Sequence, residues 1–318
     1  MLPAMLPVGR LAPSPTGQLH VGHARTFLLA WWHARAGRGR VHLRLEDLDR
    51  ARVKPGMAAE CLRDLEWLGL DWDGSPQVQS ADTTALSAAL ERLLAADQAY
   101  PCGCSRRDIE SALSAPHASD GELRYPGSCR TGLAPAYGAS AKDRAALAVR
   151  LRVPAGEIEL EDGVAGRFRC DVQREVGDFL LARRDGFFAY QLAVVVDDAR
   201  AGVTEVVRGD DLLASAARQW HLQEALGLAH PRWFHVPLVV DEHGQRLAKR
   251  RGDLTLASLR ARGVDPRALV AWAARSAGLA VPERVSAREA VVSFDLARLP
   301  RAPATFGPAD LARIEQAR

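Results

Sequence analysis

Three groups of residues stand at spacings that suit chemistry. The first is Arg10-Leu-Ala-Pro-Ser14-Pro-Thr-Gly-Gln-Leu-His20-Val-Gly22-His23, where two prolines and a glycine end a strand ahead of a helix. His20 and His23 are three apart and face the same way on a first helical turn. The backbone N–H groups of such a turn, with the positive end of the helix dipole, attract phosphate, and Gly22 admits an adenine or ribose close to the backbone. Taken alone, the pair serves equally well as capping or surface residues. The second group, Arg246-Leu-Ala-Lys249-Arg250-Arg251-Gly252, is a basic loop whose ammonium and guanidinium groups can neutralise a polyphosphate, although a lone charge run is more often a solvated loop. The third joins Cys102-Gly-Cys104 to Tyr125-Pro-Gly-Ser-Cys129. Three thiolates converging there close a tetrahedral zinc site with one more ligand, for which Tyr125, His117 and water compete. The alternative is three reduced cysteines in a loop, and Cys61 and Cys170 read as packing residues.

These residues need elements to hold them. Apolar periodicity predicts a strand over Val8–Ala12, a helix over Gly22–Arg35 and a strand over Val41–Leu45, a parallel βαβ unit. Helices follow over Met57–Leu68 and Thr83–Ala96. From Tyr100 to about Ala141 the chain is rich in Cys, Gly, Pro, Ser and Ala and reads as a loop-rich insert, with strand-like pieces at Leu147–Val153, Glu157–Leu160 and Val164–Cys170 forming a small sheet within it. The apolar run Phe187–Val196 predicts a buried central strand of a parallel sheet. Val203–Val207 and Trp233–Val240 read as strands, and Leu212–Leu226 as a helix ending at Gly227. Asp241–Asp253 reads as a flexible segment, and helices follow at Leu256–Arg262 and Pro266–Leu279. The tail from Val281 carries one short helical piece.

Composition narrows the class without choosing the chemistry. At 318 residues, 47% hydrophobic and 25% charged, the chain is a globular protein with room for about two domains. Its net charge of +3 is too small to argue for nucleic acid. No apolar stretch reaches the ~20 residues a membrane helix needs, since Phe187–Val196 runs into Asp197 and Asp198. Met1–Gly9 does not read as a signal peptide, so a cytoplasmic protein is expected, with no membrane partner. Neither a G-x-x-x-x-G-K-[ST] loop nor a G-x-G-x-x-G turn follows the first strand, so a nucleotide must be held another way.

In this order the motifs resemble those of class I aminoacyl-tRNA synthetases. His20-Val-Gly-His23 resembles the HIGH signature, and Arg246-Leu-Ala-Lys249-Arg250 a diverged KMSKS loop in which Arg246 stands for the first lysine and Ala248 and Arg250 replace both serines. Arg10 to Gly17, Leu43-Arg-Leu-Glu46-Asp47-Leu-Asp49-Arg50 and Val207-Arg208-Gly209-Asp210-Asp211-Leu212 resemble the glutamyl branch. C-x-C followed by Y-x-x-x-C is similar to the zinc site of the short glutamyl-Q tRNA(Asp) synthetases, which implies Tyr125 as fourth ligand beside Cys102, Cys104 and Cys129.

The resemblance implies an α/β fold: a Rossmann-like catalytic domain over residues 1–100 and 186–255, an inserted α+β acceptor-type subdomain with the zinc site over 101–185, and a short helical extension over 256–318. It implies ATP-dependent activation of L-glutamate to glutamyl-adenylate without tRNA, then transfer to the queuosine base in the anticodon of tRNA(Asp). His20, His23 and Lys249 are the implied catalytic residues, with Gly22 joining them around ATP and its Mg²⁺. Arg10 is implied for the side-chain carboxylate of glutamate, Arg208 with Tyr190 for the α-carboxylate region, Glu46 for the α-ammonium, and Ala12 and Ser14 as lining. On chemistry alone, Arg10 and Glu46 could form an ordinary ion pair and Tyr190 could be a core residue. A conventional glutamyl-tRNA synthetase is the nearer alternative, but the residues after Gly252 are too few for an anticodon-binding domain of the typical ~100 residues. A non-catalytic RNA-binding paralogue is the other. A monomer is expected.

Overall fold

A computed structural model describes residues 6–112, 124–132, 147–247 and 254–317. Strand β1 (Val8–Leu11), helix α1 (Val21–Ala36) and strand β2 (Arg40–Leu45) form the expected parallel unit, in register from Val8 opposite Arg40 to Leu11 opposite Leu43. Helix α2 (Met57–Trp67), strand β3 (Gln77–Val78) and helix α3 (Thr84–Ala95) follow, with β3 parallel to β2. The insert contributes β4 (Ala99–Cys102), α4 (Arg106–Ala112), β5 (Ala148–Leu151), β6 (Ile158–Asp162), β7 (Gly166–Cys170), α5 (Val172–Glu175) and β8 (Leu180–Ala182). Then come α6 (Tyr190–Arg200), β9 (Glu205–Gly209), α7 (Leu213–Leu226), β10 (Arg232–Val236) and β11 (Val239–Val240). The chain closes with α8 (Leu256–Ala261), α9 (Pro266–Ser276), α10 (Ala287–Val291), β12 (Ala304–Thr305) and α11 (Pro308–Gln316).

Strand order fixes where a ligand can bind. β1, β2 and β3 form one sheet and β7, β6, β10 and β9 another; β9 packs along the side of β1 away from β2, where Thr204 N, just before β9, donates to Val8 O at 2.9 Å. β10 runs parallel to β9. Chain order therefore reverses between β1 and β9, and in doubly wound sheets the crevice at that reversal, beyond the carboxyl ends of the strands, receives the ligand. Arg10 near the end of β1 and Arg208 on β9 flank it.

Three sequence expectations change. Phe187–Val196 is not a strand: Tyr190–Arg200 is helical, and every side chain from Gln191 to Asp198 is buried. A helix enclosed on all sides, here packed with α3 and α7, loses its amphipathic period, so a run of valines reads alike for either structure. The Glu157–Leu160 and Val164–Cys170 pieces are strands as expected, but they pair with each other as a hairpin whose β6 joins β10 through Trp233 opposite Asp162, outside the small sheet of the insert. The small sheet of the insert is instead β4, β5 and β8, antiparallel. The tail holds two helices and a strand, β12, which pairs parallel with β11. Gly227 ends α7 in the left-handed conformation at φ 59°, as expected of a helix-ending glycine.

Two apolar clusters carry these elements. One surrounds α1, grouping Leu28, Leu29 and Trp32 with Leu269 and Trp272 of α9 and Phe306 of the tail; the other encloses α6 between Leu86 and Leu93 of α3 and Leu222 of α7. Among the described residues no helix is long and apolar enough to cross a membrane.

Candidate active site

A cavity of about 1160 Å³ opens at the strand reversal. Ala12, Ser14, His23, Glu46 and Tyr190 line it on the sheet side, and Cys104, Tyr125 and Arg150 on the insert side. At the start of α1, Gly22 N donates to His20 Nδ1 at 3.1 Å, and His20 N donates to His23 Nδ1 at 3.2 Å. The rings lie tilted at 34° with centroids 3.8 Å apart. The capping role is thus real, and it also orients chemistry: a neutral ring accepting at Nδ1 carries its proton on Nε2. A Cβ on Gly22 would sit 2.9 Å from His20 Cε1, so a larger residue there would push the His20 ring out of this arrangement. Leu256 N donates to Leu19 O at 2.9 Å, which ties the chain just beyond the basic loop to the His20 turn. Arg246 lies 3.6 Å from Asp211, another cavity residue. Lys249, like Ala248, Arg250 and Arg251, lies outside the described residues.

Four charged groups form a buried chain beside the cavity. Arg10 Nε is 3.3 Å from Asp198 Oδ2, Arg44 Nη1 is 2.6 Å from Asp198 Oδ1, and Arg44 Nη2 is 3.1 Å from Glu46 Oε1. Arg10 therefore does not pair with Glu46, and Asp198 and Arg44 stand between them. Burial pushes the Asp198 carboxyl up, but the Arg44 and Arg10 guanidiniums outweigh it and hold it below the usual carboxylate range. Tyr190 opens the first turn of α6 with its ring 39% exposed to the cavity. Burial of its hydroxyl pushes the phenol up, opposed by Arg208, with Glu46, Arg10 and Asp198 also within electrostatic reach. It is a cavity residue rather than a core one.

Arg208 is held by a relay that the sequence reading missed. Its Nε donates to His235 Nε2 at 3.0 Å and its Nη1 to Gln219 Oε1 at 2.9 Å. His235 Nδ1 lies 2.6 Å from Asp162 Oδ2, and Asp162 also accepts from the backbone N–H groups of His235, Val164 and Ala165. Since Nε2 accepts from Arg208, the ring proton sits on Nδ1 facing Asp162. Burial depresses the His235 pKa below the usual histidine range and keeps the ring neutral. A charged residue inside an apolar strand, such as Arg44, and acids ending an apolar run, such as Asp197 and Asp198, were the available signals for these partners.

At the insert end, the sulfurs of Cys102, Cys104 and Cys129 all lie within 4.8 Å of one another, and the three residues are buried, so the group could hold a metal ion. Tyr125 Oη lies 3.3 Å from Cys102 Sγ and 3.7 Å from Cys104 Sγ, and accepts from Cys129 N at 2.8 Å. All four residues singled out by spacing meet at one point. Arg150 backs them, with Nε 3.3 Å from Cys102 Sγ and its guanidinium 3.8 Å from the Tyr125 ring centroid. Without a cation, burial pushes the Cys104 thiol up to about 12. Gly177, at φ +76°, makes this packing possible, because a Cβ there would lie 2.3 Å from Tyr125 O. His117, the competing ligand, lies outside the described residues.

Comparison with known proteins agrees with this geometry. The family model for class I tRNA synthetases (E and Q), catalytic domain, matches residues 8–312. A protein of Rhodopirellula baltica called glutamyl-Q tRNA(Asp) synthetase is 45% identical over 316 residues, covering 93% of this chain and 95% of that one. One of Nocardia farcinica with the same name is 49% identical over 297 residues, covering 93% and 91%. The crystal structure of glutamate-tRNA synthetase from Elizabethkingia anophelis is similar with a TM-score of 0.83 at 27% identity, covering 96% of this chain and 69% of that one. The chain belongs to the class I tRNA synthetases (E and Q), is a ligase, and falls with the relatives called glutamyl-Q tRNA(Asp) synthetase.

Proposed function

We propose that this enzyme activates L-glutamate with ATP, without tRNA, and transfers the glutamyl group to the queuosine base in the anticodon of tRNA(Asp). The observation that carries the reading is that His23, Glu46 and Tyr190 line one cavity while Arg10 and Arg208 stand behind it, within electrostatic reach of Tyr190. Two guanidiniums and one carboxylate match an amino acid with two carboxylates and one ammonium, and Arg offers the fork that prefers a carboxylate to an amide.

An α-carboxylate oxygen attacks the α-phosphorus of ATP and pyrophosphate leaves. A carboxylate is already ionised at neutral pH, so no general base is needed and catalysis rests on positioning and charge. His20 and His23 donate from Nε2 to the phosphates, and Gly22 leaves room for the nucleoside. Lys249 would neutralise the leaving pyrophosphate, and Mg²⁺ bound with ATP would supply further positive charge there. A hydroxyl of the acceptor then attacks the acyl carbon, and AMP leaves with the bonding electron pair while the hydroxyl proton passes to solvent.

For Cys102, Cys104, Tyr125 and Cys129 we propose structural zinc. Tetrahedral zinc implies S···S edges of ~3.8 Å and S···O edges of ~3.5 Å, close to the 3.6 Å between Cys104 and Cys129 and the 3.3 and 3.7 Å to Tyr125. Zinc held there would tie the Cys102–Cys104 turn to the Tyr125–Cys129 segment, and we propose residues 101–185 as an acceptor-facing subdomain on a catalytic domain of residues 1–100 and 186–255, with 256–318 as a helical extension. We propose a cytoplasmic monomer.

The test is to charge tRNA(Asp), with and without queuosine, and tRNA(Glu) using labelled glutamate. Label on queuosine-bearing tRNA(Asp) alone is expected; label on tRNA(Glu) alone identifies a conventional glutamyl-tRNA synthetase, and no glutamate-dependent exchange of ATP with pyrophosphate refutes both. Metal analysis of chelator-free protein should give about one zinc per chain.

A further inference from the structure

The groups proposed for the two ends of glutamate are not independent. Arg10, for the side-chain carboxylate, and Glu46, for the α-ammonium, are joined through Asp198 and Arg44 in one buried chain with links of 3.3, 2.6 and 3.1 Å. Asp198 divides its carboxylate between two guanidiniums, Oδ2 to Arg10 and Oδ1 to Arg44. Arg10 is further tied by Nη1 to Val207 O at 3.3 Å, so its position is set from both α6 and β9. Arg44 is only 2% exposed and serves as a spacer.

The remaining buried acid, Asp197, is within electrostatic reach of Arg44 but is held by Gln79 Nε2 at 2.8 Å and by Arg200 at 3.8 Å, so Asp198 is the carboxylate that Arg10 and Arg44 share. Glutamate offers Arg10 a side-chain carboxylate for a charge-assisted pair, and glutamine offers only an amide. Without Asp198, Arg10 would lose its carboxylate partner and be drawn toward Glu46 and away from the substrate.

We infer that Asp198 is a positioning residue for substrate choice: by holding Arg10 at a fixed distance from Glu46 through Arg44, it measures both the charge and the length of the amino acid. The inference rests on the proposed activation of glutamate. It goes further in predicting that glutamine, uncharged at its end, and aspartate, one methylene shorter, are rejected through a residue that touches neither.

The experiment is tRNA-independent exchange of ATP with pyrophosphate on the full chain, with glutamate, glutamine and aspartate, for wild type, Asp198→Asn, Arg10→Gln and the double variant. Asp198→Asn should raise KM for glutamate about tenfold or more and cut the preference for glutamate over glutamine by a similar factor, with KM for ATP unchanged. In the Arg10→Gln background it should change the glutamate-to-glutamine ratio no further. Asp198→Glu keeps the charge and moves the carboxylate by about 1.5 Å. It should keep the preference over glutamine while narrowing the preference over aspartate, and it carries the test if Asp198→Asn does not fold. If wild type shows no glutamate-dependent exchange, the functional reading and this inference fall together. If wild type is active and the Asp198 variants alter kcat alone, or leave KM for glutamate and both preferences within twofold, only the inference is overturned.

Discussion

Replacing Asp162 by Asn changes almost no volume and alters a single chemical property, which makes it the sharpest probe of the relay behind Arg208. Asp162 Oδ2 accepts from His235 Nδ1 at 2.6 Å, and burial opposed by the hydrogen bonds of His235 and Ala165 leaves its carboxyl below the usual range, so it is ionised. Oδ1 accepts from Val164 N, Ala165 N and His235 N. In Asp162→Asn the carbonyl oxygen keeps those three donors, and the amide N–H₂ must then face Nδ1. The ring responds by moving its proton to Nε2, which points at the donating Nε of Arg208. The charge-assisted bond between Asp162 and His235, about 1.5–3 kcal/mol, gives way to a neutral amide bond of about 1 kcal/mol, and the charge-assisted bond from Arg208 to His235 becomes a donor–donor contact. If about 2–3 kcal/mol of that reaches the substrate complex through a displaced Arg208, kcat/KM for glutamate falls about 30- to 150-fold. Glutamate-dependent exchange of ATP with pyrophosphate measures it, and the KM for ATP should stay near the wild-type value. A folded Asp162→Asn variant with kcat/KM within threefold of wild type would refute the tautomer argument. The wild-type relay predicts a related pH effect. The His235 pKa is depressed in the fold, so between that value and the ordinary ~6.5 the unfolded chain binds more protons, and this part of the stability is lost as pH falls through the window.

Asp64 offers an independent check away from the cavity. It is fully buried on α2 with no hydrogen-bond partner for either oxygen, and its nearest cation is Arg260 at 3.4 Å, which is shared with Glu60. Burial pushes its carboxyl up to about 7. The folded state therefore holds a proton that the unfolded state releases, and stability declines as pH rises from ~4 to about 7. Asp64→Asn should raise the melting temperature at pH 8, by an amount equivalent to roughly 2–4 kcal/mol, and make little difference at pH 5; equal effects at both pH values would contradict the burial argument. Gly177→Ala places a methyl against Tyr125 O in a left-handed backbone, which should cost about 2 kcal/mol or more and lower zinc retention against a chelator. Unchanged melting and metal content would show that the Tyr125 segment can move aside.

Local signals decided much of this protein in advance. The His20 turn and the parallel unit around α1 were legible because each depends on spacing over a few residues or on the period of one element, and Cys102, Cys104 and Cys129 because three thiols crowd one irregular stretch, whereas Tyr125 beside them came only from the resemblance. Partner choice among charges was not. Arg10 meets Asp198 across 188 positions and Arg44 meets the same carboxylate across 154, and only the fold that encloses α6 and brings Asp198 to both selects those pairs over the equally plausible Arg10 with Glu46. The same packing hid α6 itself: once all its faces are enclosed, hydrophobicity carries no period to distinguish helix from strand. The sequence thus named groups that meet at the candidate site, whereas the tertiary structure chose which ions hold them, because electrostatic pairing follows distance in space and the low dielectric of the interior, neither of which is written along the chain.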